Sequence, residues 1–280
     1  MEQGVMTQAP HRLGRVLVIA GSDSGGGAGV QADIKTVTML GGYAASAITA
    51  ITVQNTLGVT GVHVIPAEVV KAQALAVLDD IGADAIKTGM LGDRATVEAC
   101  VEVIDRAHGV PVVIDPVMAA KGGSVLLDSG ALAAFARLLI PRAALLTPNA
   151  PEAEALTGLV VADLDGQRRA GEALLEAGAG AVLVKGGHIP GDRVVDLLLT
   201  HDGELLLEGP RIDSRHTHGT GCTLASACAV GLAQGLDMQA SVTRAWAYVA
   251  EAIRLAPGLG AGHGPLDHGW PIRKAQPPLQ

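Results

Sequence analysis

The sequence predicts an α/β protein: a mainly parallel central sheet with helices on both faces and a late antiparallel hairpin. Two patterns in the 280-residue chain carry that prediction. Short apolar runs ending in glycine or a polar residue alternate with helical stretches from residue 15 to residue 188, as buried parallel strands and their crossover helices do. Then "RVVDLLLTHDGELLLEGPRI" (193–212) sets two apolar runs around an Asp-Gly turn, a hairpin signal.

The elements follow in order. "RVLVIAG" (15–21) is a buried strand, and "VQADIKTVTMLGG" a helix stopped by Gly41-Gly42. "ASAITAITVQN" (45–55) is β-branched and strand-like, and "PAEVVKAQALAVLDDIG" (66–82) is a helix with proline in its first turn. "DAIKTGM" is a strand, "DRATVEACVEVIDRAHG" a helix capped by Asp93, and "VPVVIDPVM" (110–118) a strand. "SGALAAFARLLIP" is a helix, "AALLTPN" a strand, and "APEAEALTG" a helix with acidic residues in its first turn. "GQRRAGEALLEAGAG" (166–180) is a helix and "AVLVKGGH" a strand; after the hairpin, helices at about 219–235 and 238–256 close the chain. Residues 1–13 and 273–280 read as frayed tails. Without internal repeats or a Pro/Ser-rich linker, 14–272 reads as one domain.

Composition narrows the function. Hydrophobic residues reach 49% but aromatics only 2%, so the core is aliphatic and alanine-rich, without stacking platforms for single strands. A formal net charge of −8 argues against nucleic-acid binding, which needs clustered Lys and Arg. The three cysteines form no C-x-x-C pair, which argues against a disulfide framework or zinc site and favours a reducing, cytoplasmic compartment. The N-terminus lacks the apolar core of a secretion signal, and the chain has no apolar run of roughly 18 residues that would suggest a membrane span.

Ligands of open α/β sheets collect beyond the carboxyl ends of the strands. Those ends here carry Gly21-Ser22-Asp23, Gln54-Asn55, Gly89-Met90, Asp115, Asn149 and Lys185-Gly186-Gly187, which should share one crevice. Gly27-x-Gly29-x-x-Ala32 fits the dinucleotide fingerprint formally, but no Asp or Glu lies between Asp33 and Glu68 to hold a ribose about 20 residues on. A Walker-type phosphate loop is absent as well. These glycines serve better to bring backbone close to a flat ligand.

Three constellations carry chemistry. In Gly219-Thr220-Gly221-Cys222, two glycines at the start of an apolar helix let successive N–H groups form an anion-binding nest; alone, the motif also fits an ordinary loop. Cys222 sits where a helix N-terminus should lower a thiol pKa, whereas Cys100 reads as core. Asn149 and Glu152, one turn apart, could supply hard oxygen ligands for Mg²⁺, or simply cap the helix. Lys185, leaving a strand beside two glycines, could meet a phosphate as a point charge or stand solvated. His216-x-His218 lacks a third metal ligand and reads as loop.

Taken together, "IAGSDSGGGAGVQADIKT", "ITAITVQNT", "KTGML", "IDPVM", "LTPNAPEAEAL", "LVKGGH" and "THGTGCTLASA" resemble, in order and spacing, the ribokinase superfamily, and within it the hydroxymethylpyrimidine/phosphomethylpyrimidine kinases of thiamine biosynthesis. The resemblance spans about residues 15–270 and implies a ribokinase-like fold. It implies Mg²⁺ and ATP, and two successive phosphorylations of 4-amino-5-hydroxymethyl-2-methylpyrimidine. By resemblance, Gly21, Asp33, Gln54, Met90 and Val117 form the pyrimidine pocket, with Cys222 at the acceptor hydroxyl. Gly219, Thr220 and Gly221 form the anion hole. Asn149 and Glu152 organise metal and phosphates with Asp115, directly or through water, and Lys185 meets nucleotide phosphate. "MAAKGGSVLL" (118–127) becomes a flap whose Lys121 contacts the pyrimidine phosphate, and the protein a homodimer. The first loop, "GSDSGGGAG", departs from the family in lacking a proline after the aspartate. The alternatives are a pyridoxal kinase of the same superfamily and a non-catalytic pyrimidine sensor.

Overall fold

The computed structural model describes residues 13–118 and 129–275. Nine strands form one sheet in the order β3-β2-β1-β4-β5-β6-β7-β8-β9. They are β1 (Arg15–Asp23), β2 (Tyr43–Asn55), β3 (Gly58–Val64), β4 (Ala85–Thr88), β5 (Val112–Ile114), β6 (Leu145–Leu146), β7 (Ala181–Val184), β8 (Arg193–Thr200) and β9 (Gly203–Pro210). The run from β2 through β1 and β4 to β7 is parallel. β3 and the β8–β9 hairpin are antiparallel additions at the two edges. Strand order reverses at β1, flanked by β2 and β4, which opens a crevice at the carboxyl ends.

The two faces of each strand feed two cores. Leu17, Ile19, Ile86, Ile114 and Val182 pack under α2 (Ala67–Asp80), α3 (Arg94–Arg106), α4 (Ser129–Leu138), α5 (Ala150–Thr157) and α6 (Leu164–Glu176). Val16, Val18, Val113 and Leu183 pack under α1 (Gly29–Met39), α7 (Thr220–Ala233) and α8 (Met238–Arg254). That alternation follows from the two-residue repeat of a strand. Residues 223–231 of α7 are all buried, which explains a helix apolar on every side. Phe135 and Tyr248 are the buried aromatics among the described residues, so the core is aliphatic as composition requires.

Differences from the sequence reading have physical reasons. β3 was not expected: its Gly58 and Gly61 and exposed surface blur the alternation, and pairing with β2 supplies what propensity lacks. The strand expected over 110–118 pairs only at Val112–Ile114, because Pro116 offers no N–H to continue the ladder. Pro66 is the N-cap of α2 rather than a first-turn residue. Asp93 caps α3 as expected, its Oδ1 accepting from Thr96 N at 2.8 Å. At the end of the chain, α9 (Trp270–Ala275) takes in three residues assigned to the tail. No helix among the described residues is long and apolar enough to cross a membrane.

Candidate functional site

A cleft of about 1520 Å³ runs along the carboxyl ends of the strands. Single-ligand pockets usually hold about 300–1,000 Å³, so this one has room for two molecules side by side. Gly21, Gln54, Met90 and Val117 line it, as do Asp115, Asn149, Glu152, Lys185 and the whole Gly219–Cys222 turn. Each of the six expected strand ends contributes to the cleft, although Asn55, Gly89 and Gly186 do not line it. Strand order sets the layout: Gln54, Gly21, Met90 and Val117 stand at the β2–β1–β4–β5 end, and Asn149 and Lys185 towards the hairpin. Met118, the first residue of the expected flap, lines the cleft, and Lys121 with the rest of the flap lies outside the described residues.

The centre is the N-terminus of α7, which packs on β1, β4 and β5. Gly219 caps it at φ +86°, a left-handed conformation that glycine alone adopts at little cost, and a Cβ there would overlap Gly27 O. No side chain caps this end; Thr220 N donates to Thr217 O at 3.4 Å, and Gly221 and Cys222 bring the positive end of the helix dipole to the cleft wall. A Cβ at Gly221 would come within 3.2 Å of Lys185 Nζ and 3.6 Å of Asp115 Oδ2, which places both charges beside the nest.

Lys185 Nζ lies 3.2 Å from Asp115 Oδ1 and 3.9 Å from Glu152 Oε2. Burial alone would lower the Lys185 pKa, but the Asp115 and Glu152 carboxylates outweigh it and raise it, so the ammonium stays charged. Burial pushes the Glu152 carboxyl up to about 7 against the pull of Lys185, with Asp115 adding to the rise. Asn149 and Glu152 form a full capping box: Asn149 Oδ1 accepts from Glu152 N at 2.9 Å, and Glu152 Oε2 from Asn149 N at 2.8 Å. Capping leaves lone pairs on both side chains, so cap and cation roles are compatible. The donor set of Asp115, Glu152 and Asn149 is all hard oxygen, the chemistry that suits Mg²⁺.

Two expectations need correction. Cys222 does not have a lowered pKa: burial pushes its thiol up to about 12, against Lys87 and with Asp33 and Asp115 adding to the rise. Taking a thiolate out of water outweighs the helix end. Asp33 is not on the cleft wall. It is fully buried, its Oδ1 and Oδ2 accepting from Lys87 Nζ at 2.9 and 3.0 Å and Oδ1 also from Ser226 Oγ at 2.7 Å. Its oxygens are committed to β4 and α7.

Sequence reasoning placed Asp23 in the crevice but missed its partner, and it missed Lys87 and the wall at the hairpin end. Asp23 lines the cleft and pairs with His218, and burial, which would raise its pKa, is overcome by His218 and the Ala28 and Gly25 amides, so the pKa is lowered. Lys87, inside "KTGML", is an unsignalled buried cation within electrostatic reach of Cys222. At the hairpin end, Trp246, Ile253, Pro210 and Asp213 wall the cleft from β9, the segment after it and α8. Buried Asp196 holds this end to the centre by accepting from Gly186 N at 2.8 Å.

Comparison with known proteins gives the family. The family model described as phosphomethylpyrimidine kinase matches residues 23–267. The "Thiamine biosynthesis bifunctional protein ThiED" of Geobacter sulfurreducens is 49% identical over 261 residues, 93% of this chain, which spans only 53% of that longer relative. The "Hydroxymethylpyrimidine/phosphomethylpyrimidine kinase" of Streptomyces coelicolor is 49% identical over 257 residues, covering 92% of this chain and 95% of the relative. Among solved structures, the pyridoxal kinase from Staphylococcus aureus in complex with ADP superposes with a TM-score of 0.86 at 36% identity, covering 92% of this chain and 94% of that one.

Proposed function

The chain belongs to the phosphomethylpyrimidine kinase family, and from that premise we propose how its cleft works. The protein is an ATP-dependent kinase that phosphorylates 4-amino-5-hydroxymethyl-2-methylpyrimidine and then the resulting monophosphate. The carrying observation is the uncapped α7 N-terminus between a small-ligand end and a longer end of one cleft.

In this reading the pyrimidine lies between Gly21, Gln54, Met90 and Val117, its hydroxymethyl arm towards Cys222. Gln54 offers an amide donor and acceptor to the aminopyrimidine edge. The nucleotide lies along the hairpin end, its terminal phosphate on the amides of Gly219, Thr220, Gly221 and Cys222. Lys185 neutralises phosphate charge, and Asp115, Asn149 and Glu152 would hold Mg²⁺, directly or through water. When bound, that ion screens the negative charge of the reacting phosphates. Phosphoryl transfer has a loose transition state, so positioned positive charge does most of the catalysis. The neutral Cys222 thiol orients the hydroxyl, whose proton passes late to an oxygen of the transferring phosphoryl group. In the second step the same thiol adds no charge against an incoming monoester of about −1.5 to −2.

We place the enzyme in the cytoplasm, consistent with cysteines that are all unpaired. We also assign it a homodimer built on the β2–β3 hairpin, where Ile51, Val53, Val62 and Val64 are exposed. The structural likeness to a pyridoxal kinase keeps pyridoxal in view as an acceptor. A coupled ADP-release assay with hydroxymethylpyrimidine, its monophosphate and pyridoxal supplied separately tests all three. ADP release with the first two is expected. Turnover of pyridoxal alone would replace this reading with the pyridoxal one, and binding without ADP release would make the protein a sensor.

A further inference from the structure

His218 is buried beside the anion nest, where its imidazole faces Asp23 and Gln54. Its Nε2 lies 2.9 Å from Asp23 Oδ2 and 3.2 Å from the terminal nitrogen position of Gln54. Asp23 in turn gathers the first glycine loop: Oδ1 accepts from Gly25 N at 2.8 Å, and Oδ2 from Gly27 N at 3.1 Å and Ala28 N at 2.9 Å. The contact is close, since a Cβ at Gly27 would stand 2.6 Å from His218 Cδ2. One imidazole thus joins the loop after β1, the strand carrying Gln54, and the residue before Gly219.

Proton counting extends this. An Nε2 that donates to the Asp23 carboxylate has no lone pair for the Gln54 NH₂. The Thr52 hydroxyl, 3.0 Å from both Ser22 O and the other end of the Gln54 carboxamide, has one proton, and a carbonyl such as Ser22 O can only accept it. Turned end for end, the Gln54 oxygen shares the single Nε2–H with Asp23 Oδ2 as a bifurcated bond, and the Gln54 nitrogen donates to Thr52 Oγ, whose own proton goes to Ser22 O; the hydrogen-bond network decides this orientation.

We propose that His218 is a positioning residue: through Asp23 it clasps the glycine loop against the phosphate nest, and through its Nε2–H it fixes which way the Gln54 carboxamide faces the acceptor. The kinetic consequences rest on the function proposed above; the clasp itself does not. His218 acts on acceptor geometry and leaves the nucleotide end, held by Lys185 and the hairpin, untouched.

The test compares His218→Met, which cannot donate, with His218→Gln, whose amide N–H reaches a similar point. Amide hydrogen exchange on ligand-free protein reads the clasp without substrate. Gly25, Gly27 and Ala28 are expected to lose protection in His218→Met and keep it in His218→Gln; unchanged protection in His218→Met would overturn the clasp. In steady-state assays, His218→Met is expected to lose about 10²-fold in kcat, as a misplacement near 1 Å does, while the KM for ATP stays put. The pyrimidine KM should rise about tenfold for the lost hydrogen bond, and His218→Gln should recover most of both losses. Equal losses in both variants that track their melting temperatures would reduce His218 to a structural residue. A wild type inactive on both pyrimidines would overturn the function proposed above, and exchange would still decide the clasp.

Discussion

At Cys222 the chemistry turns on whether the sulfur is ionised. Burial holds it neutral, with a pKa up at about 12, so in the proposed reaction the thiol guides a hydroxyl without repelling a phosphate. Cys222→Ala should therefore slow the first phosphorylation by about 10²-fold and the second less, whereas Cys222→Asp should lower kcat/KM for the monophosphate more than for the alcohol. Equal losses on both acceptors would contradict the idea. Glu152 allows a pH test. Its folded pKa of about 7 lies above the ordinary carboxylate value of 4.5, so the fold prefers the protonated form. The associated stability is fully present below pH 4.5 and is lost as pH rises through 7. Glu152→Gln keeps the cap oxygen and cannot ionise. In metal-free buffer it should match wild type near pH 4 and exceed it at pH 8 by about 1–3 kcal/mol in denaturant titrations, while losing Mg²⁺-dependent activity. Residue types at the strand ends made most of this site legible. The thiol's ionisation was not, because sequence shows the helix start but not the protein packed around it. Nor was the fate of Asp33, whose partner Lys87 comes from a distant strand with no local mark.

Among elements, α7 matters most, since its start is the proposed phosphate site. Beneath it, Asp33 of α1, Lys87 of β4 and Ser226 of α7 form one buried knot tying two helices to the sheet. Both ionic side chains are 0% exposed. Lys87→Met would leave a carboxylate buried without its cation and should cost about 3–5 kcal/mol, while adding Asp33→Asn should return much of it. Chemical denaturation of the single and double variants checks this; additive losses would mean the two do not work as a pair. The hairpin after β7 was legible because an Asp-Gly turn between apolar runs has few other meanings. β3 was not, because an edge strand with two glycines is held by its partner rather than by its own pattern.

For the whole molecule, strand order sets Gln54, Gly21 and Met90 at one end of a single cleft and Lys185 with the hairpin at the other, and the proposed function puts the acceptor at the first and the nucleotide at the second. Parallel topology was readable from the alternation of strands and helices, since crossover connections admit few arrangements. The exposed apolar face proposed for a dimer was not, because Ile51 and Val53 look like ordinary strand residues until the sheet edge is located. Val53→Lys is expected to shift the protein from dimer to monomer in light scattering, and a wild type that is itself monomeric would remove the assignment. The most direct measurement is a crystal structure with a non-hydrolysable ATP analogue, Mg²⁺ and hydroxymethylpyrimidine bound together. The account predicts the terminal phosphate on the amides of Gly219–Cys222, facing a hydroxymethyl group whose ring rests on Gln54 and Met90. Nucleotide and pyrimidine in separate cavities, or a phosphate away from the start of α7, would contradict it.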